Sequence, residues 1–232
     1  MNRMLKGTLV ALGVVLGAHA PAWAETPQTD AAFVEQLGGR TTHDTLKALR
    51  MYYDLHVSEI EVQLMKEQNT GAFFAARRAT GDGDAAEAQR QMEAFEGTKE
   101  ALAKARQSNQ DMRQTLAAVT GIDFADDLAM APDAPDALPQ APAGAPADLL
   151  SARDAAWGQV EKARATWREV RLQLLEDQER YDKTRDVSIG DSMRAMTRAE
   201  VAMARAACDL RLIEAEIAAA TGQPIAEVLG GF

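Results

Sequence analysis

Hydrophobic residues recur through the first half of this chain at the three- and four-residue steps of an α-helix. One stripe comprises Leu46, Leu49, Tyr53, Val57, Ile60 and Leu64, and a second, displaced around the helix, comprises Met51, Leu55, Val62 and Met65. Two apolar stripes on one helix indicate two packed neighbours. The pattern weakens over residues 80–84 and resumes in a return helix that Gly121 ends, so a helical hairpin is predicted over 43–128.

The second half repeats this plan. A coiled-coil-like seam is formed by Val160, Trp167, Leu174 and Tyr181, seven residues apart, with Ala156, Ala163 and Val170 between them. After a polar interruption at 182–190, an apolar return helix runs until Gly222 and Pro224 end it. Both halves close on Ala-Val-Thr-Gly or Ala-Ala-Thr-Gly, which indicates an internal duplication and a second hairpin over 149–229.

The segment between the two hairpins is rich in proline. Five of the eight prolines fall within residues 130–147, where they exclude a regular helix, so an extended linker is predicted over 129–148. No stretch alternates convincingly at the two-residue period of a strand. We therefore predict an all-α fold of two long antiparallel helical hairpins joined by this Pro/Ala-rich linker, without a β-sheet.

Composition narrows the possible partners. The 232 residues carry a net charge of −10, and hydrophobic residues make up 47% of the chain although only 5% are aromatic. This composition is typical of long helices that pack through alanine. The acid excess argues against nucleic acid as a partner, because a phosphate backbone requires a basic surface. Cys208 is the only cysteine, so no internal disulfide is expected and the thiol is predicted to be a small buried group.

The first 24 residues are typical of a signal peptide. Arg3 and Lys6 precede an apolar run of about a dozen residues, and Ala22-Trp23-Ala24 supplies a small-x-small cleavage pattern. Cleavage there leaves an N-terminal segment, 25–42, ahead of the first hairpin. Because the apolar run is short and nothing later is continuously apolar, no membrane span is expected in the exported chain.

The two hairpin turns carry polar residues with two possible roles. Ser188 with Asp191, and Asp84 with Glu87, have the spacing of capping boxes. Gly81 and Gly190 could serve only to permit positive φ, or the turns could form a docking site.

Neither a metal site nor an enzyme is indicated. Met193, Met196 and Met203 share a helix face and could bind Cu(I), but their spacing is that of the apolar seam, so packing is the favoured interpretation. His43 and His56 make no known ligand pattern. No phosphate-binding loop, HExxH or Gly-x-Ser-x-Gly motif occurs. We therefore expect no catalysis, cofactor or metal.

The stretch from Arg180 to Gly222 carries the most specific pattern: Arg-Tyr-Asp, then Ser188, Gly190 and Asp191, and an Ala-rich return helix ending in Ala-Thr-Gly. It resembles the TolC-like outer membrane efflux family. The resemblance implies that the hairpins line a trimeric helical tunnel. A periplasmic adaptor protein is then expected to dock on their tips, at Tyr181, Ser188, Gly190, Asp191, Gly81 and Asp84. The strands that build the family's membrane barrel find no counterpart in this pattern.

The sequence thus predicts a periplasmic, TolC-like helical component of an outer-membrane efflux or export system, structural or accessory and without its own barrel. The alternative is a free-standing periplasmic coiled-coil scaffold or holdase-like chaperone. The signal peptide and the paired long helices fit both hypotheses, and the resemblance between Arg180 and Gly222 favours the first.

Overall fold

The computed structural model describes residues 29–82, 85–122, 124, 134–184 and 189–231. Within these ranges the chain forms six helices: α1 (Asp30–Gln36), α2 (Thr42–Asp82), α3 (Ala85–Thr120), α4 (Ala147–Thr184), α5 (Ile189–Thr221) and α6 (Ile225–Gly230). The described residues contain no strand, and the predicted all-α fold with long helical hairpins is confirmed. The expected signal peptide, 1–24, lies outside the described residues.

The helices extend further into the turns than the sequence pattern indicated. Gly81 belongs to the last turn of α2, and Gly190 belongs to the first turn of α5. The idea that these glycines provide positive φ is therefore wrong. Positive φ occurs instead at Gly121 (75°) and Gly222 (74°), directly after α3 and α5, which confirms both predicted helix ends.

The four long helices form an open row in the order α3–α2–α5–α4. Each hairpin packs internally, α2 against α3 and α4 against α5, and the two hairpins meet through α2 and α5. Within the described helices, α3 and α4 do not contact each other. The inner helices therefore have two long neighbours, as the two apolar stripes of α2 predicted, whereas α3 and α4 each leave one edge of the row free.

Both hairpins point their turns in the same direction. The inner helices α2 and α5 run antiparallel, because Glu61 pairs with Arg205 and Glu67 accepts a hydrogen bond from Thr197. We call the end of the row at the two hairpin turns the tip end and the opposite end the base. In this register, the start of α5 lies level with the residue of α2 that is about six positions before Asp82. At a rise of 1.5 Å per residue, the first hairpin therefore extends roughly 9 Å beyond the second.

The base is closed by the two short helices, which pack on each other and cover one face of the row. Phe33 of α1 stacks on Tyr52 of α2, with ring centroids 4.3 Å apart, and Phe124 joins the same cluster. Leu37 and Leu229 are each 2% exposed. Burying such side chains contributes about 1.5–3 kcal/mol each, so this apolar cluster anchors α1 and α6, which the sequence pattern had not indicated.

The described part of the linker lies along the second hairpin on that same face. Arg164 donates to the carbonyl oxygens of Ala134 and Pro135, and Arg153 donates to that of Pro139. The two arginines are eleven residues apart on α4, roughly 16 Å, whereas their linker partners are only four or five residues apart. The linker therefore runs antiparallel to α4, with a bend at residues 136–137 between the two contacts. We call the face that carries α1, α6 and this linker the covered face.

The seam predicted for the second hairpin is tight near the base and looser toward the tip. Val160 is fully buried, and Ala156 and Ala163 are each 9% exposed, while Trp167 and Leu174 are half-buried. Leu172 and Leu175, at 62% and 50%, are exposed beside them. Of the helices that the structure describes, none combines the length and the apolar character needed to cross a bilayer.

Candidate partner-binding tips and buried polar clusters

The tip of the first hairpin holds two predicted docking residues. Gly81 is exposed, and a side chain added there would meet nothing within 4 Å. Asp84 lies outside the described residues, so its predicted capping of α3 stays a prediction. Among the described residues, none would hinder a side chain added at Gly81.

The tip of the second hairpin holds the other four. Tyr181 is half-buried in the last turn of α4, Gly190 is half-buried in the first turn of α5, and Asp191 is exposed beside it. Ser188 lies outside the described residues. The structure therefore brings Tyr181, Gly190 and Asp191 to one helix-turn end, at the same end of the row as Gly81.

Asp191 also takes part in the contact between the hairpins. Its carboxylate pairs with Arg194, and the Arg194 guanidinium lies so close to α2 that a Cβ on Gly71 would stand 2.5 Å from its Nη1. Gly71 thus leaves the space through which the arginine reaches α2. Asp191 consequently helps to hold Arg194 across the α2–α5 contact, a role that the sequence pattern did not suggest.

A hydrogen bond fastens the second hairpin just below its tip. Ser192 Oγ donates to Asp177 Oδ2 over 2.5 Å, joining α5 to α4. This bond, together with one from Gln173, lowers the pKa of Asp177 below its ordinary value, because both donors stabilise the charged carboxylate. A charge-assisted contact therefore joins α4 to α5 one to two turns from the end of the hairpin.

A buried polar cluster ties α1 to both inner helices near the base. Asp30 accepts hydrogen bonds from Tyr53 Oη at 2.8 Å and from Arg211 Nη1 at 2.6 Å. The pKa of Tyr53 is raised well above its usual range, first by burial and then by the neighbouring Asp30 carboxylate. The sequence pattern did not indicate this cluster, because its members are far apart in the chain and Asp30 precedes the periodic stretch.

A second buried ion pair joins the helices of the second hairpin. Arg153 Nε lies 2.5 Å from Glu214 Oε1, with side-chain exposures of 4% and 3%. Arg153 stands one heptad before Val160, in the register of the predicted seam. A charged residue at a seam position was the available signal for a buried partner.

Cys208 and the two histidines occupy packing or surface positions. Cys208 is 4% exposed, and burial, with a smaller effect of the Asp209 carboxylate, raises the pKa of its thiol to about 12. The prediction of a small buried group is confirmed. His56 is buried edge-on against Tyr52, with ring centroids 4.4 Å apart, and His43 is exposed at the start of α2.

The described residues contain no grouping of three or more His, Cys, Asp or Glu side chains that could hold a metal ion. Of the three methionines weighed for copper, Met193 is exposed, whereas Met203 packs into the apolar cluster between α4 and α5. A groove of about 290 Å³ lies opposite the covered face, lined by Arg50, Asp209 and Glu216 among others. The Arg50–Glu216 ion pair, 3.5 Å long, spans it.

Comparison with known proteins does not assign this chain to a family. No protein-family model matches it, and no curated protein matches it significantly. Inference about its function therefore depends on the geometry above and on the pattern between Arg180 and Gly222.

Proposed function

We propose that this chain is an exported, TolC-like helical component of an efflux or export assembly, structural or accessory and without a barrel of its own. In this proposal the two tips bind a periplasmic adaptor protein, and copies of the chain associate side by side, as a trimer by resemblance. The resemblance between Arg180 and Gly222 motivates the proposal, and the arrangement of the hairpins supports it.

The observation that carries the proposal is the parallel presentation of the two tips. Antiparallel contacts between α2 and α5 bring Gly81 to the same end of the row as Tyr181, Gly190 and Asp191. A partner approaching along the helix axes would meet the tip of the first hairpin first and the tip of the second roughly 9 Å further on, so one docking surface would be stepped across the two tips. Hairpins that pointed in opposite directions would offer no common docking surface.

The free edges of the row support association between copies. Gly97 on α3 and Gly158 on α4 are exposed, and a Cβ at either position would meet nothing within 4 Å. Glycine inside a helix costs about 1 kcal/mol relative to alanine, and no contact within the described chain explains it. The absence of side chains at these two positions would let a helix of a neighbouring copy approach closely.

The experiment that tests the proposal measures both association and transport. Light scattering on the purified exported protein in detergent-free buffer is expected to give the mass of a closed oligomer. Leu172→Arg, at the free edge of α4, should convert it to monomer, while Val119→Gln, an exposed apolar control on α3, should not. Loss of the gene should sensitise cells to at least one class of drug, dye or metal.

Complementation then separates the tips from the edges. Gly81→Arg should keep the oligomer but fail to restore resistance, because the added side chain lies where the adaptor docks. Unchanged sensitivity after gene loss, together with a monodisperse monomer, would refute the transport proposal and leave the free-standing scaffold or chaperone as the working model.

A further inference from the structure

Five exposed apolar side chains lie on the covered face, between the linker and the tips. They are 41–56% exposed, and they come from all four long helices: Phe73, Phe74, Met92, Leu175 and Met193. We call this set the distal apolar patch. It lies below the tips and is a different surface from the proposed adaptor site.

Heptad spacing identifies the face on which the patch lies. Phe73 and Phe74 follow Tyr52 and Tyr53 by three heptads along α2, and Tyr52 and Tyr53 are the residues that contact α1. Residues separated by whole heptads share a face in paired helices. The two phenylalanines therefore repeat, closer to the tip, the surface that α1 covers at the base.

The outer helices and α5 follow the same rule. On α5, Met193 precedes Glu214 by three heptads. Glu214 pairs with Arg153, which binds the linker on the covered face. Met92 precedes Arg113 by three heptads, and Arg113 pairs with Glu59 next to the α1-facing side of α2. Leu175 continues the side of α4 on which Arg164 binds the linker.

The patch forms a transverse band rather than a stripe along one helix. Phe73 contacts Phe95 of α3, with ring centroids 5.6 Å apart, one turn from Met92. The Gly71–Arg194 contact puts Met193 level with Phe73. Four helices at an interaxial spacing of 8–10 Å make this band roughly 30 Å wide, which is the length of a helix of about 20 residues.

The side of the patch that faces the base carries three basic side chains, although the whole chain is acidic. One heptad toward the base, Lys66 precedes Phe73 on α2, Lys99 follows Met92 on α3, and Arg168 precedes Leu175 on α4, and all three are exposed. Lys99 also pairs with Glu96 at 3.0 Å on the surface of α3, an exposed pair that a partner's acid can replace. Glu200 stands at the equivalent position on α5. The pKa of Glu200 is raised by partial desolvation and by Glu67, so this acid bears its charge less readily than a free glutamate.

We propose that the distal apolar patch binds an amphipathic helix of another protein, crossing the row with its apolar side on the patch and acidic side chains toward Lys66, Lys99 and Arg168. At the base of the same face, α1, α6 and the linker already form a second layer. A helix is as thick as that layer and would continue it.

The layer at the base and the basic border argue against a membrane or a second copy as the occupant. A planar bilayer would meet the projecting α1, α6 and linker first and would be held about one helix diameter away from the patch. A second copy applying the same face with its helices in the same direction would bring two basic borders together, and like charges oppose that contact. The inference stands independently of the proposed transport function, because it uses neither the tips nor the free edges.

Two synthetic 20-residue helices test the proposal, with identical Leu/Phe faces and either Glu or Lys at every polar position. Titration calorimetry with the purified protein should give one-to-one binding of the Glu helix, at least tenfold tighter than the Lys helix. Added salt should weaken the binding, because the charge pairs lie at an exposed border.

Protein variants locate the binding. Phe74→Gln with Leu175→Gln should weaken the Glu helix at least tenfold, whereas Val119→Gln, an exposed apolar residue at the base end of α3, should leave it unchanged. Lys66→Glu with Arg168→Glu should reverse the preference toward the Lys helix. Circular dichroism should match between all variants, because each substituted side chain is exposed.

Three results would overturn the proposal. Equal affinity for both helices would mean non-specific apolar adsorption. Co-sedimentation with phosphatidylglycerol vesicles that the Phe74/Leu175 variant abolishes, without helix binding, would identify a membrane surface instead. A dimer in light scattering that the same variant dissociates would identify a second copy as the occupant.

Discussion

The buried ion pair between Arg153 and Glu214 allows a quantitative test of the second hairpin. Replacing Arg153 with methionine keeps an unbranched side chain of similar length but removes the cation. Glu214, with its side chain 3% exposed, then remains buried without its counter-ion, and the linker loses its hydrogen bond at Pro139.

The expected cost is large. Removing one member of a buried pair typically destabilises a protein by 3–5 kcal/mol, whereas replacing both members by apolar residues is often neutral or stabilising. We therefore expect Arg153→Met to lower the free energy of unfolding by about 3–5 kcal/mol, and the double variant Arg153→Met with Glu214→Leu to recover most of that loss. For a chain of this size, the single variant corresponds to a fall in Tm of roughly 6–20 °C.

Arg164→Met provides the matched control. Arg164 also lies on α4 and also donates to linker carbonyl oxygens, but it is only half-buried and has no buried carboxylate partner in the described chain. The loss of its hydrogen bonds should cost about 1 kcal/mol. Urea unfolding followed by circular dichroism gives all four free energies with one assay.

Two outcomes would refute this reasoning. If Arg153→Met costs no more than Arg164→Met, Glu214 is not held in a low-dielectric environment. If the double variant is as unstable as the single one, the loss comes from the linker contact and not from the uncompensated charge.

Three further predictions follow from individual side chains. The pKa of Cys208 is raised to about 12 in the folded chain, so the contribution of its protonated thiol to stability is full below pH 9 and is lost as pH rises toward 12. Cys208→Ala should therefore reduce the fall in the urea midpoint between pH 9 and 11. An unchanged fall would exclude this effect. The pKa of Glu200 is raised by desolvation and a neighbouring carboxylate, so the folded chain holds the Glu200 proton more tightly than the unfolded chain and loses stability as pH rises through the pKa of this carboxyl. Glu200→Gln should therefore raise Tm at pH 7 but not at pH 4. Equal shifts at both pH values would show that the charge of Glu200 does not destabilise the fold. Gly97→Ala should raise the monomer's free energy of unfolding by about 1 kcal/mol in urea titrations, whereas Gly71→Ala should not, since its Cβ would meet the Arg194 guanidinium; equal gains would show that this contact is not maintained in solution.

Local hydrophobic periodicity was enough to predict the long helices and their pairing into hairpins. The stripes through Leu49, Tyr53 and Leu64 depend only on which residues share a helix face, so they predict paired helices without further information. The order of the helices in the row could not be obtained this way. It depends on contacts such as Glu61–Arg205, between residues more than a hundred positions apart, and many exposed ion pairs would look the same in sequence.

Among the polar features too, local ones could be predicted from the sequence and those made by distant residues could not. The positions of the hairpin turns could be predicted because turn chemistry is local, whereas partner binding there stays a prediction and Asp191 supports an inter-hairpin contact through Arg194. The buried Asp30–Arg211 pair was missed, because charged residues on helices are usually solvated and only tertiary burial distinguishes this one. The distal apolar patch was missed because its members come from four helices, each contributing one or two residues.

The pairing of α1 with α6 has a consequence for the order of folding. Each hairpin joins residues that are near in sequence, so both can close early. The contact between Ala31 and Gly230, where an added Cβ would lie 3.7 Å from the alanine, joins segments about 200 residues apart, and its loop-closure entropy must be overcome last. During synthesis α1 emerges well before α6, yet it must wait for α6 to complete its packing. Phe33 can stack on Tyr52 as soon as α2 has formed, so only the side of α1 that faces α6 stays uncovered in a growing chain until α6 emerges.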